Sequence, residues 1–199
     1  MTHTLKIVVL AAAVLAAGAT FLMPWNQNRD EALVSMVAGL EGQWVGRPAP
    51  PMRLPGLDGR EHTMQDYAGK VIFLNIWASF CEPCKKEMPS MERLVRTYDD
   101  RGLVMLAISV DPDMSDAQQF MTTFLQGQQS GMTVLHDPQS QVAAAYGTEL
   151  LPETYIIDRQ GRVVARFVNA YDWSNPEVKQ MIEHLLNDAA GPGGSKSLF

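Results

Sequence analysis

The chain has 199 residues, of which 46% are hydrophobic and 19% are charged, and this balance excludes a disordered chain. Acidic residues outnumber basic ones by 22 to 16 and no run of Lys or Arg occurs, so we expect no nucleic-acid partner. The two cysteines exclude a multi-disulfide scaffold and a four-cysteine zinc site, and the length predicts one domain with appendages.

Residues 7–23 form an uncharged apolar stretch, at the short end of the roughly 17–25 residues that a membrane-spanning helix needs. We expect residues 1–25 to be a signal anchor, because the apolar run continues past Ala17-Gly18-Ala19, which resembles a signal-peptidase site. A cleaved signal peptide and an ordinary buried helix are the alternatives. Lys6 favours an N-terminus inside, so the domain is expected outside the cytoplasm, anchored on the periplasmic side or released into the periplasm.

Residues 26–44 are predicted to be a linker with a short helix at 30–40, where apolar residues recur at helical spacing. A disordered stalk is the alternative. The Pro- and Gly-rich stretch at 46–59 predicts an irregular lead-in followed by a small hairpin at the Asp58-Gly59 turn.

Strands and helices alternate after Gly69, beginning with a continuous apolar run at 71–77 that predicts a strand buried on both faces. The other predicted elements are a helix at 85–98, a strand at 103–110, a helix at 115–125 with Ser115 as its N-cap, a strand at 133–135, a helix at 140–146, an antiparallel hairpin of 154–157 and 162–168, and a helix at 175–187. This order predicts an α/β fold in which helices cover a mixed sheet. The tail at 191–199 is expected to be disordered.

The motif WASFCEPC at residues 77–84 stands where the first buried strand meets a helix. Cysteines three positions apart in a first helical turn lie on one side, at a Cα separation that suits a disulfide. Unpaired N–H groups and the helix dipole stabilise a thiolate at Cys81. The motif therefore predicts a reversible dithiol, in which Cys81 is the exposed nucleophile and Cys84 resolves.

Two other uses of the cysteines are weaker. A structural disulfide over so short a loop would remove little entropy from the unfolded chain. A metal site would need further ligands, and no histidine stands at ligand spacing to the pair, so we expect no metal.

WASFCEPCKKEMP resembles the active site of the thioredoxin superfamily, and more narrowly that of the TlpA/ResA/DsbE-like thiol-disulfide oxidoreductases. The similarity covers residues 45–186 and includes VGRPAP, VIFLNIWAS, LAISVD and LPETYIID. The resemblance implies a thioredoxin-like mixed sheet flanked by helices over residues 45–190.

The resemblance also implies roles for single residues. Pro152 falls on the family's cis-proline, whose bend brings the backbone of Leu151 close to the sulfurs to pair with a substrate peptide. Phe80 and Trp77 are expected to contribute to the substrate surface, although Phe80 stands where Trp is commoner. Glu87 is implied to tune thiol acidity and so to act in catalysis, and a solvated surface charge is its alternative.

Two acid–base features of the motif bear on proton transfer. Asn75 occupies the position of a buried titrating Asp in thioredoxin, and an amide cannot act as a base, so proton handling falls to Glu87 or water. Glu82, between the cysteines, opposes the helix dipole and disfavours the thiolate.

We expect an extracytoplasmic enzyme, a protein-disulfide reductase or thiol-disulfide oxidoreductase, that reduces disulfides of exported proteins, and the resemblance implies apocytochrome c as one substrate. No GxGxxG motif occurs, so no nicotinamide or flavin cofactor is expected, and electrons would come from a membrane donor. A peroxidase-like redoxin and a non-catalytic thiol-based binding or carrier module are the alternatives.

Overall fold

The computed structural model describes residues 31–126 and 128–188. The chain divides into two compact units, residues 1–36 and 37–199. Helix α1 covers residues 31–39, which confirms the predicted short helix, and in the second unit Val37 and Leu40 are buried. The apolar segment at 7–23 and the tail at 191–199 lie outside the described residues. Within the described ranges, no helix has both the length and the apolar character needed to cross a membrane.

Among the described residues of the second unit, eight strands build two sheets. They are β1 (Gln43–Pro48), β2 (Arg53–Pro55), β3 (Glu61–Thr63), β4 (Val71–Trp77), β5 (Leu103–Ser109), β6 (Met132–His136), β7 (Glu153–Ile157) and β8 (Arg162–Val168). The larger sheet has the order β1-β8-β7-β4-β5-β6, in which β4, β5 and β6 are parallel and the other neighbours antiparallel. The mixed sheet predicted from the sequence is confirmed, and β2 and β3 form the predicted small hairpin.

In the described part of the chain, four further α-helices follow α1, and short 3-10 helices lie at Met64–Tyr67 and Asp99–Arg101. The four α-helices are α2 (Glu82–Tyr98), α3 (Met114–Leu125), α4 (Gln141–Tyr146) and α5 (Pro176–Asn187). The prediction that Ser115 caps α3 is wrong: the side chain of Asp113 accepts a hydrogen bond from the Ser115 backbone N–H and is the N-cap. An aspartate two residues earlier reaches the unpaired N–H groups that Ser115, already inside the helix, cannot cap.

β4 lies inside the sheet, and all seven of its side chains are buried. Since side chains alternate along a strand, Phe73, Asn75 and Trp77 share one face and Ile72, Leu74 and Ile76 the other. The second set belongs to a core cluster with Leu106, Tyr146 and Tyr155. Asn75 is the one polar residue of this strand, and its partners are described with the site below.

The register of β4 and β7 brings two separate loops to one edge of the sheet. Ile76 of β4 pairs with Glu153 of β7 in antiparallel orientation. The residues that follow β4, which lead to Cys81, therefore emerge beside the residues that precede β7, which are Leu151 and Pro152.

β1 was not predicted as a strand. It pairs with the edge of β8, and the register shifts between Trp44 and Arg47, where Gly46 has a φ of +70°. The proline- and glycine-rich sequence predicts irregular backbone, whereas the free hydrogen-bonding groups of β8 stabilise a bulged strand there. The lead-in is thus in part a strand.

Candidate active site

Cys81 and Cys84 form a disulfide bond at the N-terminus of α2, with their Cα atoms 5.3 Å apart. Cys81 is the N-cap residue, and its sulfur accepts a hydrogen bond from the backbone N–H of Cys84 at 3.3 Å. Pro83 occupies the first turn, where a missing N–H costs nothing. The helix therefore begins three residues before the predicted position, and both cysteines lie at its N-terminus, where the dipole favours negative charge.

The two sulfur-bearing residues differ in their exposure. Cys81 is 8% exposed, whereas Cys84 is fully buried. A thiolate or disulfide from another molecule can therefore reach the pair only at Cys81. This asymmetry agrees with the order of attack predicted from the motif.

Two large hydrophobic side chains are exposed, one directly before Cys81 and one shortly before the cis bond. Phe80 is 67% exposed and Leu150 is 57% exposed, and they are the large hydrophobic residues most open to solvent in the described part of the chain. The Leu151–Pro152 peptide bond is cis, as the resemblance implies. Leu151 is half-buried and Pro152 buried. Trp77, which was expected at the substrate surface, is fully buried and packs on Phe120 with ring centroids 5.3 Å apart.

Glu87 lies one turn after Cys84 on α2 and is only 3% exposed. Residues three apart on a helix are neighbours on one face, so Glu87 follows Cys84 on the same face of α2. Its Oε1 accepts a hydrogen bond from Asn75 Nδ2 at 2.9 Å, and Oε2 accepts from Trp173 Nε1 at 3.0 Å and from the backbone N–H of Tyr171 at 3.2 Å. The structure thus places Glu87 in the interior and not on the solvated surface.

Burial raises the pKa of Glu87 to about 7, and the hydrogen bonds from Trp173, Tyr171 and Asn75 oppose this increase only in part. A carboxyl with a pKa near neutrality can accept and release a proton under ordinary conditions. Asn75 Nδ2 also donates to Thr154 Oγ1 at 2.9 Å, while its Oδ1 is buried without a hydrogen-bond partner. Sequence reasoning missed Trp173 and Tyr171, which lie more than 80 residues from Glu87 along the chain.

A cleft of about 370 Å³ runs along α2 on the side of Glu87. Its lining includes Glu87, Ser90, Lys86, Arg93, Tyr171 and Asp172. The cleft gives solvent a route to the buried carboxyl that does not pass the disulfide.

A buried carboxylate holds the loop that precedes Cys81. Asp111, just after β5, is fully buried and accepts hydrogen bonds from the backbone N–H of Ser79 at 3.0 Å and from Ser79 Oγ at 2.7 Å. Its other oxygen also accepts from Ser109 Oγ at 2.7 Å. Asp111 stands in the LAISVD segment noted above, but the spacing of 32 residues gave no signal that it contacts Ser79.

The negative charge of Glu82, which lies between the two cysteines in the sequence, is partly neutralised by a nearby lysine. The Glu82 side chain is 68% exposed, and its Oε2 lies 3.3 Å from Lys85 Nζ. Solvent and this lysine weaken its effect on the Cys81 sulfur.

Comparisons with known proteins agree with this geometry. The family model described as the AhpC/TSA family matches residues 45–166. The thiol-disulfide oxidoreductase ResA of Geobacillus thermodenitrificans is 36% identical over 143 residues, which cover 71% of this chain and 78% of that protein. ResA of Bacillus subtilis is 32% identical over 130 residues, which cover 65% and 70%. The crystal structure of a candidate thiol:disulfide interchange protein DsbE from Chlorobium tepidum superposes with a TM-score of 0.63 and 31% identity, covering 71% of this chain and 96% of that one.

Proposed function

Because the chain belongs to the TlpA/ResA/DsbE-like thiol-disulfide oxidoreductases, with a thioredoxin-like fold, we propose that it reduces disulfides of exported proteins. The observation that carries this proposal is the unequal burial of the two cysteines at the start of α2. Cys81 is accessible to another molecule, and Cys84 lies behind it within bonding distance.

The reaction proceeds in two exchange steps. In the reduced protein, the Cys81 thiolate attacks one sulfur of a substrate disulfide, a Cys81–substrate bond forms, and the other substrate sulfur leaves as a thiolate that takes up a proton. Cys84 then loses its proton and attacks the Cys81 sulfur, which releases the substrate as a dithiol. Two electrons pass from the protein to the substrate, and the Cys81–Cys84 disulfide is restored.

Glu87 is proposed to accept the proton of Cys84 in the second step. Its pKa of about 7 suits this transfer, and it lies one turn from Cys84. The protonated carboxyl then needs a hydrogen-bond acceptor. Rotation of the Asn75 amide supplies one, because Asn75 Oδ1 has no other partner. The cleft beside Glu87 returns the proton to solvent.

Glu87 also supports the proposal that electrons pass from this protein to its substrate. When Glu87 is ionised, its negative charge disfavours a thiolate on the neighbouring pair, and less thiolate stabilisation favours the disulfide over the dithiol. A protein whose disulfide form is favoured gives up electrons readily. Glu87 next to Cys84, with exposed Glu82 next to Cys81, therefore supports a reductant.

The substrate is proposed to be an extended polypeptide. The apolar surface of Phe80 and Leu151, beside the buried ring of Pro152, suits a segment that pairs with the free backbone of Leu151. An apocytochrome c whose haem-attachment cysteines are oxidised is the substrate that the family resemblance favours.

The cellular setting is part of the proposal. The uncharged stretch at 7–23 supports a membrane anchor, with the domain of residues 45–190 on the periplasmic side or, after cleavage, free in the periplasm. The linker at 26–44 would join the two. A membrane protein is then the electron donor that reduces the Cys81–Cys84 disulfide after each turnover.

Covalent trapping tests the proposal. In the full chain, Cys84→Ser removes the resolving thiol, so Cys81 should remain joined to its substrates through disulfide bonds that mass spectrometry can identify. The matched control, Cys81→Ser with Cys84 intact, should trap far less, because Cys84 is buried. If Cys84→Ser captures no protein and the native protein does not reduce a disulfide-bonded polypeptide, the proposed function is wrong. Full function in a Cys81→Ala, Cys84→Ala variant would favour a binding module.

A further inference from the structure

The loop of residues 147–150, which precedes the cis Leu151–Pro152 bond, makes contacts with the sheet at each of its residues. Four successive residues each contact one of three side chains from β7 and β8. The contacts are Arg166 Nη2 to the Gly147 carbonyl at 3.2 Å, Tyr155 Oη to Thr148 Oγ1 at 3.0 Å, and Glu153 Oε1 to the backbone N–H groups of Glu149 at 3.2 Å and Leu150 at 3.3 Å. The shape of the loop therefore depends on three side chains that belong to the sheet.

These three side chains also hold one another. Arg166 donates from Nε to Glu153 Oε2 at 2.9 Å and from Nη2 to Oε1 at 2.8 Å, and Tyr155 Oη donates to Glu153 Oε2 at 2.6 Å. Glu153 and Tyr155 share a face because they are two apart on β7, and Tyr155 is the register partner of Arg166 on β8. The strands thus bring the three groups together without help from the loop.

Glu153 is a charged group in the interior, with no exposed surface. Burial raises the pKa of this carboxyl, but the hydrogen bonds from Arg166 and Tyr155 outweigh burial, and the net pKa lies below the usual value. Glu153 is therefore an ionised acceptor. A buried ion pair is often no more stabilising than an apolar pair of similar size. We therefore look for its role in the orientation of the groups to which it is hydrogen-bonded. Here the carboxylate accepts hydrogen bonds from the backbone N–H groups of Glu149 and Leu150.

We propose that Glu153, Tyr155 and Arg166 are positioning residues that preset the 147–150 loop for polypeptide substrates. They hold exposed Leu150 and the adjoining Leu151 backbone in one arrangement before a substrate arrives. A preset loop loses little conformational freedom on binding, so more of the contact energy appears as affinity. This inference rests on the proposed function, because it concerns how that site takes a polypeptide.

If the three residues position the loop, replacing them should affect the reaction with a polypeptide differently from the reaction with a small dithiol. A polypeptide must lie along the loop, whereas a small dithiol such as dithiothreitol needs only the Cys81 sulfur. Loosening the loop should therefore weaken the reaction with a polypeptide and leave the reaction with dithiothreitol unchanged.

β8 offers a matched control at its other end. Arg162 Nε lies 2.9 Å from Asp158 Oδ2, and the side chain of Arg162 is 28% exposed against 24% for Arg166. Arg162 and Arg166 both lie on β8, and each pairs with a buried carboxylate. Arg166→Met and Arg162→Met each remove the guanidinium of one such pair. Arg166→Met also removes a contact with the 147–150 loop, whereas Arg162→Met also removes a further interaction that Arg162 makes besides its ion pair with Asp158. A general loss of stability would therefore appear in both variants.

The experiment measures steady-state reduction of insulin disulfides by the full chain, together with the rate at which dithiothreitol reduces the Cys81–Cys84 disulfide. Arg166→Met should raise KM for insulin about tenfold, the equivalent of ordering one or two side chains, with kcat within about twofold. Its rate with dithiothreitol should match that of the native protein. Arg162→Met should change neither quantity.

Three outcomes separate the claims. Equal KM values for the two arginine variants, or an equal slowing with dithiothreitol, would overturn the positioning role. A native protein that reacts with dithiothreitol but never reduces insulin would instead overturn the proposed function. If Arg166→Met does not fold, Tyr155→Phe carries the test, because it removes only the hydroxyl that contacts Thr148 and Glu153 and keeps the ring that packs on Tyr146. It should raise KM in the same direction.

Discussion

Asn75 donates a hydrogen bond from Nδ2 to Glu87 Oε1 at 2.9 Å, and this bond joins an interior strand of the sheet to the helix that carries both cysteines. The strand thus contributes an amide that cannot titrate, and the helix contributes a buried carboxyl that can. In the proposed mechanism, the group that takes the proton of Cys84 therefore belongs to α2, and β4 contributes a hydrogen bond to it.

The stability of the oxidised protein should depend on Glu87 through pH. Its pKa is raised from 4.5 to about 7 on folding, so the folded state keeps a proton that the unfolded chain has lost. The stabilisation that comes from this retained proton is fully present below pH 4.5, falls as the pH rises, and is gone above about pH 7. Glu87→Gln has no carboxyl to titrate at this position. Between low and neutral pH, the free energy of unfolding of the native protein should therefore fall by on the order of 3 kcal/mol more than that of Glu87→Gln.

Denaturant unfolding between pH 4 and 8 measures the effect as the difference between the native and Glu87→Gln proteins. Taking the difference cancels acids such as Asp58 and Asp66, whose pKa values are lowered by hydrogen bonds and whose effects are common to both proteins. Parallel curves across the whole range would show that Glu87 does not titrate there, and its proposed part in proton transfer would be lost.

Alkylation of the reduced protein should distinguish the two thiols. Cys81 is 8% exposed and Cys84 is fully buried, so substoichiometric iodoacetamide should modify Cys81 at least about tenfold faster. Peptide mapping by mass spectrometry gives the ratio. Equal labelling would contradict the order of attack.

Local sequence patterns predicted most of the scaffold. The run at 71–77, which is apolar except for Asn75, matches β4 to the residue, because such a sequence is typical of a strand covered on both faces. The motif at its end placed the two cysteines at the N-terminus of a helix. α2 begins three residues before the predicted start because Cys81 itself caps the helix, and cysteine is not among the usual capping residues.

The contacts that complete the site could not be predicted in this way. Glu87 receives hydrogen bonds from Trp173 and the backbone of Tyr171, and Arg166 reaches Glu153 across two strands. Periodicity reports which face of an element is buried, but it does not say which distant residue meets a buried carboxyl. The prediction that Glu87 tunes the thiols came from family resemblance and remains a prediction, whereas its burial is a finding of the structure.

The loop before Cys81 should depend on Asp111. Asp111→Ala leaves the backbone N–H and hydroxyl of Ser79 and the hydroxyl of Ser109 without their acceptor, at a cost of about 1–3 kcal/mol for each buried group. Ser79→Ala removes only one hydroxyl and should cost about 1 kcal/mol. Chemical unfolding measures both. A loss for Asp111→Ala no larger than that for Ser79→Ala would contradict the role of Asp111 as the anchor of this loop.

Phe80 should contribute to substrate binding and little to stability. Because it is 67% exposed, Phe80→Ala should change the free energy of unfolding by no more than about 0.5 kcal/mol, while KM for a polypeptide disulfide rises. The contrast is the buried Trp77, whose replacement by Ala should cost about 3–5 kcal/mol. Calorimetry and steady-state kinetics provide the two measurements. An unchanged KM in Phe80→Ala would remove this ring from the substrate surface.

The reduction potential of the Cys81–Cys84 pair, measured on the full chain by equilibration with dithiothreitol, tests the central claim most directly. A reductant of protein disulfides should have a potential more negative than about −230 mV, close to the value of about −270 mV typical of thioredoxin. Such a value would agree with a buried carboxyl beside Cys84 that disfavours the thiolate. A potential near about −120 mV, typical of a strong oxidant, would contradict the account.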